Sequence, residues 1–204
     1  MEAREVHILI QQSCQLFGTF TFRDDVMSTA RRFNMFFAWL RQSGKLERPA
    51  MTCQVQQLSE CLQHLETVGN WIFYQWWSRR YDSAEAVLGW LRTHAQKDKV
   101  PYTVVALVGG TPVGSCSVIQ NDCVHRPQYS PWVAAVFVKP EMRHRGIASA
   151  MLQEAAAIAR RADVKGLYID CLGATAPVYE KNGWKVYERE VGDKDSVVML
   201  RPIK

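Results

Sequence analysis

A continuous apolar run from Pro131 to Val138 (PWVAAVFV) is rich in β-branched and aromatic residues and bounded by prolines, the pattern of a strand covered on both faces. After Lys139-Pro140-Glu141 the period changes: Ile147, Met151, Leu152, Ala155 and Ile158 recur at helical spacing, with Gln153, Glu154, Arg160 and Arg161 elsewhere. The pattern on either side is of the same kind. Thr52–Leu58 alternates loosely as a first strand. Ser59-Glu60 opens a helix with Cys61, Leu62, Leu65 and Val68 on one face, and Ser83 is placed to cap a second helix whose core residues are Val87, Leu88, Trp90 and Leu91. Pro101–Val108 and Val113–Gln120 read as a hairpin around Gly109-Gly110, with Gly114 relieving crowding or forming a bulge. Leu167–Cys171 is a short strand. Pro177–Asn182 is a short helix ended by a left-handed Gly183, and Trp184–Arg189 with Ser196–Leu200 forms a closing hairpin.

Residues 1–50 stand apart as an aromatic, helix-bearing extension. Met35, Phe36, Trp39 and Leu40 share a helical face, Arg31, Arg32 and Arg41 flank it, and Ser43-Gly44-Lys45 with Arg48-Pro49 reads as a stop and linker. Three readings of this arm stand: packing on the rest of the chain or pairing two copies into a homodimer; a loosely ordered extension; or docking on a membrane surface or protein partner. Its large apolar residues favour packing. Residues 51–204 form the recognisable domain.

Composition narrows the class. The chain has 204 residues, 48% of them hydrophobic, which suits one sizeable globular core with an arm. No apolar run approaches the ~20 residues that span a bilayer, and the first residues lack the plan of a secretory signal, so no membrane role and a cytoplasmic location are expected. Six cysteines show no metal-like spacing and read as reduced core thiols. A net charge of +5 suits a phosphate-bearing cofactor and is too small to argue for nucleic acid.

The chemistry concentrates between the central strand and its helix. Arg143-His144-Arg145-Gly146-Ile147-Ala148-Ser149 places a glycine and small residues where the helix starts. A helix N-terminus has about four N–H groups without an intrahelical partner and roughly half a positive charge. With Arg143 and Arg145 nearby, the turn is an anion cradle for a diphosphate, a stronger signal after a buried strand than a glycine pattern alone.

Arg143 to Ala148 resembles the R/Q-x-x-G-x-G/A signature of the GNAT superfamily of N-acetyltransferases. PWVAAVFVKPEMR resembles that family's fourth strand and APVYEKNGW its penultimate helix and turn. The resemblance runs from about Thr52 to Lys204, with Ala148 where many members have glycine. It implies a mixed α/β (α+β) fold: a mostly antiparallel twisted sheet of six to seven strands, helices on both faces, and a central parallel pair that splays apart. It implies acetyl-coenzyme A as donor and a primary amine as acceptor, attacking directly in a ternary complex. The cofactor residues it implies are Val136, Phe137 and Val138, whose backbone pairs with the pantetheine arm, and Arg143, His144, Arg145, Gly146, Ile147, Ala148 and Ser149 around the diphosphate. Tyr179 matches the family tyrosine near the thioester sulfur.

Acetyl transfer needs a neutral amine, a polarised carbonyl and a tolerated thiolate. Deprotonating an amine of pKa near 10.4 at pH 7 costs roughly 4–5 kcal/mol, whereas protonating a thiolate of pKa about 8.5 is worth only ~2 kcal/mol. Tyr179 is the named general acid, because a phenol is mostly protonated at pH 7. Asp122, Glu141, His125 and Asp170 are candidate bases, a water chain being the alternative, and a backbone N–H near Val136 is the candidate carbonyl donor. For the acceptor, Asp122, His125 and Tyr129 in the polar loop Asn121–Ser130 are candidates, with Trp132 beside them. The aromatic stretch Asn70–Trp77 either lines an acceptor pocket or packs in the core, packing being favoured. Two other functions compete: a non-catalytic acyl-coenzyme A-binding module, against which Tyr179 speaks, and a protein or peptide acetyltransferase in place of a small-molecule enzyme.

Overall fold

The computed structural model describes residues 52–79 and 82–204. The reading of residues 1–50 as an extension lies outside the described residues.

Among the described residues, seven strands form one sheet: β1 (Cys53–Gln57), β2 (Tyr102–Val108), β3 (Thr111–Ile119), β4 (Trp132–Val138), β5 (Gly166–Leu172), β6 (Lys185–Arg189) and β7 (Ser196–Pro202), in the order β1-β2-β3-β4-β5-β7-β6. Every neighbouring pair is antiparallel except β4 with β5. The helices are α1 (Leu65–Ile72), running on as a π-helical turn over Phe73–Trp77, α2 (Glu85–Arg92), α3 (Ile147–Arg161) and α4 (Ala176–Glu180).

Strand β2 shows how the layers arise. Successive residues of a strand point to opposite faces. Val104 and Ala106 join a cluster with Met151, Leu152, Ala155 and Ile158 of α3, while Val105 and Leu107 join Val68 and Ile72 of α1 and Val87 and Leu91 of α2. Helices therefore cover both faces of the sheet. On the face that carries α1 and α2, a third cluster of Cys123, Trp132, Val191 and Val198 lies beyond β4. The buried His94 ring meets Trp90 and hydrogen-bonds Thr103, which hydrogen-bonds Ser117. Burial holds that imidazole neutral and lowers its pKa to about 4.

Local sequence explains several boundaries. Gly109 and Gly110 take φ 56° and 77°, the two positive values a tight hairpin turn requires. The helix expected from Ser59 instead starts at Leu65, after two 3₁₀ turns, Leu58–Glu60 and Leu62–His64. Ser83 is not a cap: Ala84 occupies that position, without a side-chain hydrogen bond. Helix α2 stops at Arg92, where the Thr93 hydroxyl donates to the Trp90 carbonyl and satisfies a last-turn acceptor.

The central pair opens almost at once. Strands β4 and β5 share a single register pair, Trp132 with Tyr168. Accordingly the first half of β4 is buried, but from Ala135 onward its residues are half-exposed, so the strand is not covered on both faces along its whole length. A bulge lies in the same place. The β3–β4 register shifts between Ser115 and Ser117, and Ala135 sits opposite at φ 49°. Gly114 permits this close approach, since a Cβ there would lie 2.7 Å from the Phe137 carbonyl oxygen.

Candidate active site

The site is assembled around the open edge of β4. Past the single pair with β5, one side of Val133–Val138 has no neighbouring strand among the described residues, while β3 still pairs with the other. The strand then runs through a 3₁₀ turn, Pro140–Met142, into the start of α3. Gly146 is the N-cap at φ 78°, and no described residue other than its chain neighbours comes within 4 Å of where its Cβ would stand. His144 is also left-handed, at φ 60°. First-turn N–H groups of a helix lack intrahelical partners, and successive amides around left-handed residues form an anion-binding concavity. The cradle therefore fits a diphosphate, and the edge of β4 leading to it fits an extended chain carrying amides.

Other cradle residues build the turn. The Arg143 guanidinium donates to the Val138 carbonyl at 3.1 Å, and that of Arg145 to the Glu141 carbonyl at 3.1 Å. Ile147 is buried and offers the site only its backbone, while Ala148 and Ser149 are half-buried. Asn182, absent from the sequence-based candidates, donates to the Ser149 hydroxyl at 3.1 Å and to the Val178 carbonyl at 2.8 Å. It thereby ties the start of α3 to α4, the helix of Tyr179.

Tyr179 is half-buried, against the α3-side cluster and edge-on to Trp184. Burial first, then Cys116 and Cys171, pushes its phenol well above the usual range, so it stays protonated at any pH the protein meets. Burial also pushes the Cys116 thiol up to about 12 and the Cys61 thiol up to about 11, with Glu60 adding to the latter. Neither is a thiolate nucleophile near neutral pH.

The opposite face holds the remaining candidates. Phe137, half-buried, stacks on Trp71 of α1 at 5.0 Å, and the Lys139 ammonium lies 5.7 Å over the Trp71 ring. The stretch containing Trp71 thus forms a wall over the far half of β4. Asp122 keeps contact with solvent at the start of the β3–β4 loop. Crowding by the protein first, and then the Asp170 carboxylate on β5, pushes its carboxyl up to about 6. Asp170 accepts from the Ser196 hydroxyl at 2.7 Å.

The other loop candidates lie beside this pair. Trp132 is fully buried and its indole donates to the Tyr129 carbonyl at 2.6 Å, leaving its side chain no exposed surface. Tyr129 directs its hydroxyl to Glu188 on β6. His125 packs against Gly192 in the β6–β7 turn, where the absent Cβ makes room for the ring. Glu141 is exposed in the 3₁₀ turn Pro140–Met142 that precedes α3. Of the four candidate bases, the fold brings Asp122 and Asp170 together.

Comparison with known proteins agrees with this geometry. The pattern of the acetyltransferase (GNAT) family matches residues 68–189. Solved structures share the fold at low identity. A GNAT-family acetyltransferase from Staphylococcus aureus Mu50 is 14% identical over 75% of this chain and 100% of its own, with a TM-score of 0.56. An aminoglycoside 6'-N-acetyltransferase complexed with coenzyme A is 15% identical over 74% of this chain and 97% of its own, with a TM-score of 0.57. The acetyltransferase yncA of Salmonella typhimurium, solved with acetyl-coenzyme A, is 17% identical over 76% of this chain and 94% of its own, with a TM-score of 0.57. A search of curated proteins found no match. A strand that leaves its parallel neighbour after one pair, a left-handed turn into α3 and a match across most of the sheet lead to one conclusion: this chain belongs to the GNAT acetyltransferase family.

Proposed function

We propose that the protein is an acetyl-coenzyme A-dependent N-acetyltransferase in which the acceptor amine attacks directly within a ternary complex. The observation that carries this reading is the edge of β4, unpaired past Trp132 among the described residues, leading to the left-handed Gly146 N-cap of α3. Acetyl-coenzyme A, when bound, supplies the thioester carbonyl and the thiolate leaving group. The residues that would hold it are the backbone of Val136, Phe137 and Val138 and the amides of Gly146 to Ser149, with Arg143 and Arg145 bracing the turn.

The catalytic roles follow from position and proton affinity. The N–H of Val136, next to the bulge, is the donor assigned to the carbonyl oxygen. Tyr179, kept protonated by burial, is the general acid for the departing sulfur. Asp122 is the base. Its carboxyl, raised to about 6, is ionised at neutral pH yet takes a proton more readily than an ordinary carboxylate. Asp170 sits two residues past Tyr168, the β5 residue paired with Trp132, on the side of the splay from which an acceptor would approach. Its charge favours an ammonium entering the cleft.

The test is thiol release from acetyl-coenzyme A across polyamines, aminoglycosides, amino acids and peptides. Amine-dependent release, with the acetylated product identified by mass, is expected. Tight acetyl-coenzyme A binding without release for any amine would leave the non-catalytic binding module as the function.

A further inference from the structure

The β3–β4 loop reads from sequence as a polar connection, but the fold treats it as a wall. It crosses the face of the sheet over β5, β7 and β6 and is fastened there at several points. Arg126 Nε donates to Glu188 Oε2 at 2.6 Å and the Tyr129 hydroxyl donates to Glu188 Oε1, so one carboxylate on β6 holds both residues. The Arg126 and Glu188 side chains are 31% and 25% exposed, so solvent screens the pair less than an open surface bridge. The Tyr129 ring stacks on Tyr168 of β5 at 4.7 Å and 6°, and meets Tyr187 of β6 edge-on at 5.5 Å. Within the loop, the Arg126 N–H donates to the Cys123 carbonyl and the Tyr129 N–H to the Arg126 carbonyl. Asp122 immediately precedes this fastened segment, and the carboxylate it faces, Asp170, belongs to the strand the loop crosses.

We infer that Glu188 is a positioning residue: by gripping Arg126 and Tyr129 it fixes the β3–β4 loop, and so fixes where the Asp122 carboxylate stands relative to β5. This rests on the reading of Asp122 as the base. The charged group facing Asp122 is Asp170 from β5; the neighbouring Cys123 thiol is raised by burial first and then by Asp170. Glu188 acts through the loop, since both oxygens of its carboxylate are taken by Arg126 and Tyr129. A base displaced by about an ångström costs up to about a hundredfold in rate, so releasing the grip is expected to matter for chemistry well before it matters for folding.

The experiment is a double-mutant cycle on the full chain, with the best amine from the panel. It compares Glu188→Gln, Asp122→Asn and the double variant, and measures kcat/KM against pH, acetyl-coenzyme A affinity by calorimetry, and Tm. Glu188→Gln is expected to lower kcat/KM about tenfold, move its acidic limb, and leave acetyl-coenzyme A affinity within about twofold. In the Asp122→Asn background the same change is expected to add almost nothing, since the group it positions is gone. Tyr129→Phe, which keeps the ring stack and removes only the hydroxyl, is expected to show the same pattern more weakly, and it decides the matter if Glu188→Gln does not fold. A full, independent loss in the double variant, or a normal rate and pH profile in Glu188→Gln beside an inactive Asp122→Asn, overturns the positioning role. A normal Asp122→Asn instead overturns the base on which that role rests.

Discussion

On the side of β4 that faces α3, the proposed cofactor cradle is made of main chain. The open edge of Val133–Val138, the left-handed Gly146 and the first turn of α3 come from one continuous stretch, and their side chains mostly hold the turn or fill the core. On the side that faces α1 and the β3–β4 loop, the proposed site is made of side chains from separate segments: Trp71 on α1, Phe137 on β4, Asp122 on the loop and Asp170 on β5, with Glu188 on β6 holding the loop. A main-chain site recognises what every user of one cofactor shares, whereas a side-chain site can change with the acceptor without disturbing the first. Damage to the main-chain cradle should therefore appear as lost cofactor affinity, and damage to the side chains of the second side, or to Tyr179 on the first, as lost turnover.

Four substitutions sharpen or break that division. The largest effect is expected from Asp122→Asn: kcat/KM falls about a hundredfold, with acetyl-coenzyme A affinity almost unchanged. Because the carboxyl must be ionised to accept a proton, and its pKa is raised to about 6, wild-type activity should fall as pH drops through that value; the variant should lose that inflection. An inflection that persists in Asp122→Asn would assign it to another group.

Next is Tyr179→Phe, expected to lower kcat more than about tenfold at nearly constant acetyl-coenzyme A affinity. Rapid-quench measurement of the chemical step checks it, and near-normal turnover rejects the acid role. Gly146→Val forces a β-branched residue to φ 78°, at a strain of roughly 1–2 kcal/mol. The expected result in calorimetry is about a tenfold weaker affinity for acetyl-coenzyme A. Unchanged affinity would mean that the turn is not the cradle. The smallest effect is expected from Gly114→Ala, whose Cβ would meet the Phe137 carbonyl oxygen at 2.7 Å and press on the bulge. A loss of about 1 kcal/mol of stability in denaturant unfolding, with affinity changed about twofold, is expected. A full loss of turnover there would mean the two sides are coupled through the bulge.

The same division governs what could be read from the chain. The strand, turn and helix from Pro131 to Arg161 were legible because each rests on neighbours a few residues away: apolar period, a glycine where φ is positive, small residues at the helix start. The Gly109-Gly110 hairpin and the left-handed Gly183 were legible for the same reason. The Ser83 cap failed by one position, since the cap depends on where α2 begins and packing sets that point. The grip of Arg126 and Tyr129 on Glu188 left no trace in spacing, because the partners come from different strands. Asp122 and Asp170 were both visible as candidates, but nothing local said that they meet.

The sequence alone determined most of the elements and the left-handed glycine turn into α3, and it supplied Tyr179 as the proposed acid, since hydrophobic period and backbone preference act over single turns and strands. Tertiary structure decided which carboxylates face each other, that β4 leaves β5 after one pair, and that a polar loop becomes a wall. Those outcomes depend on strand order and register, which bring distant residues into contact and change their proton affinity through burial and neighbouring charge.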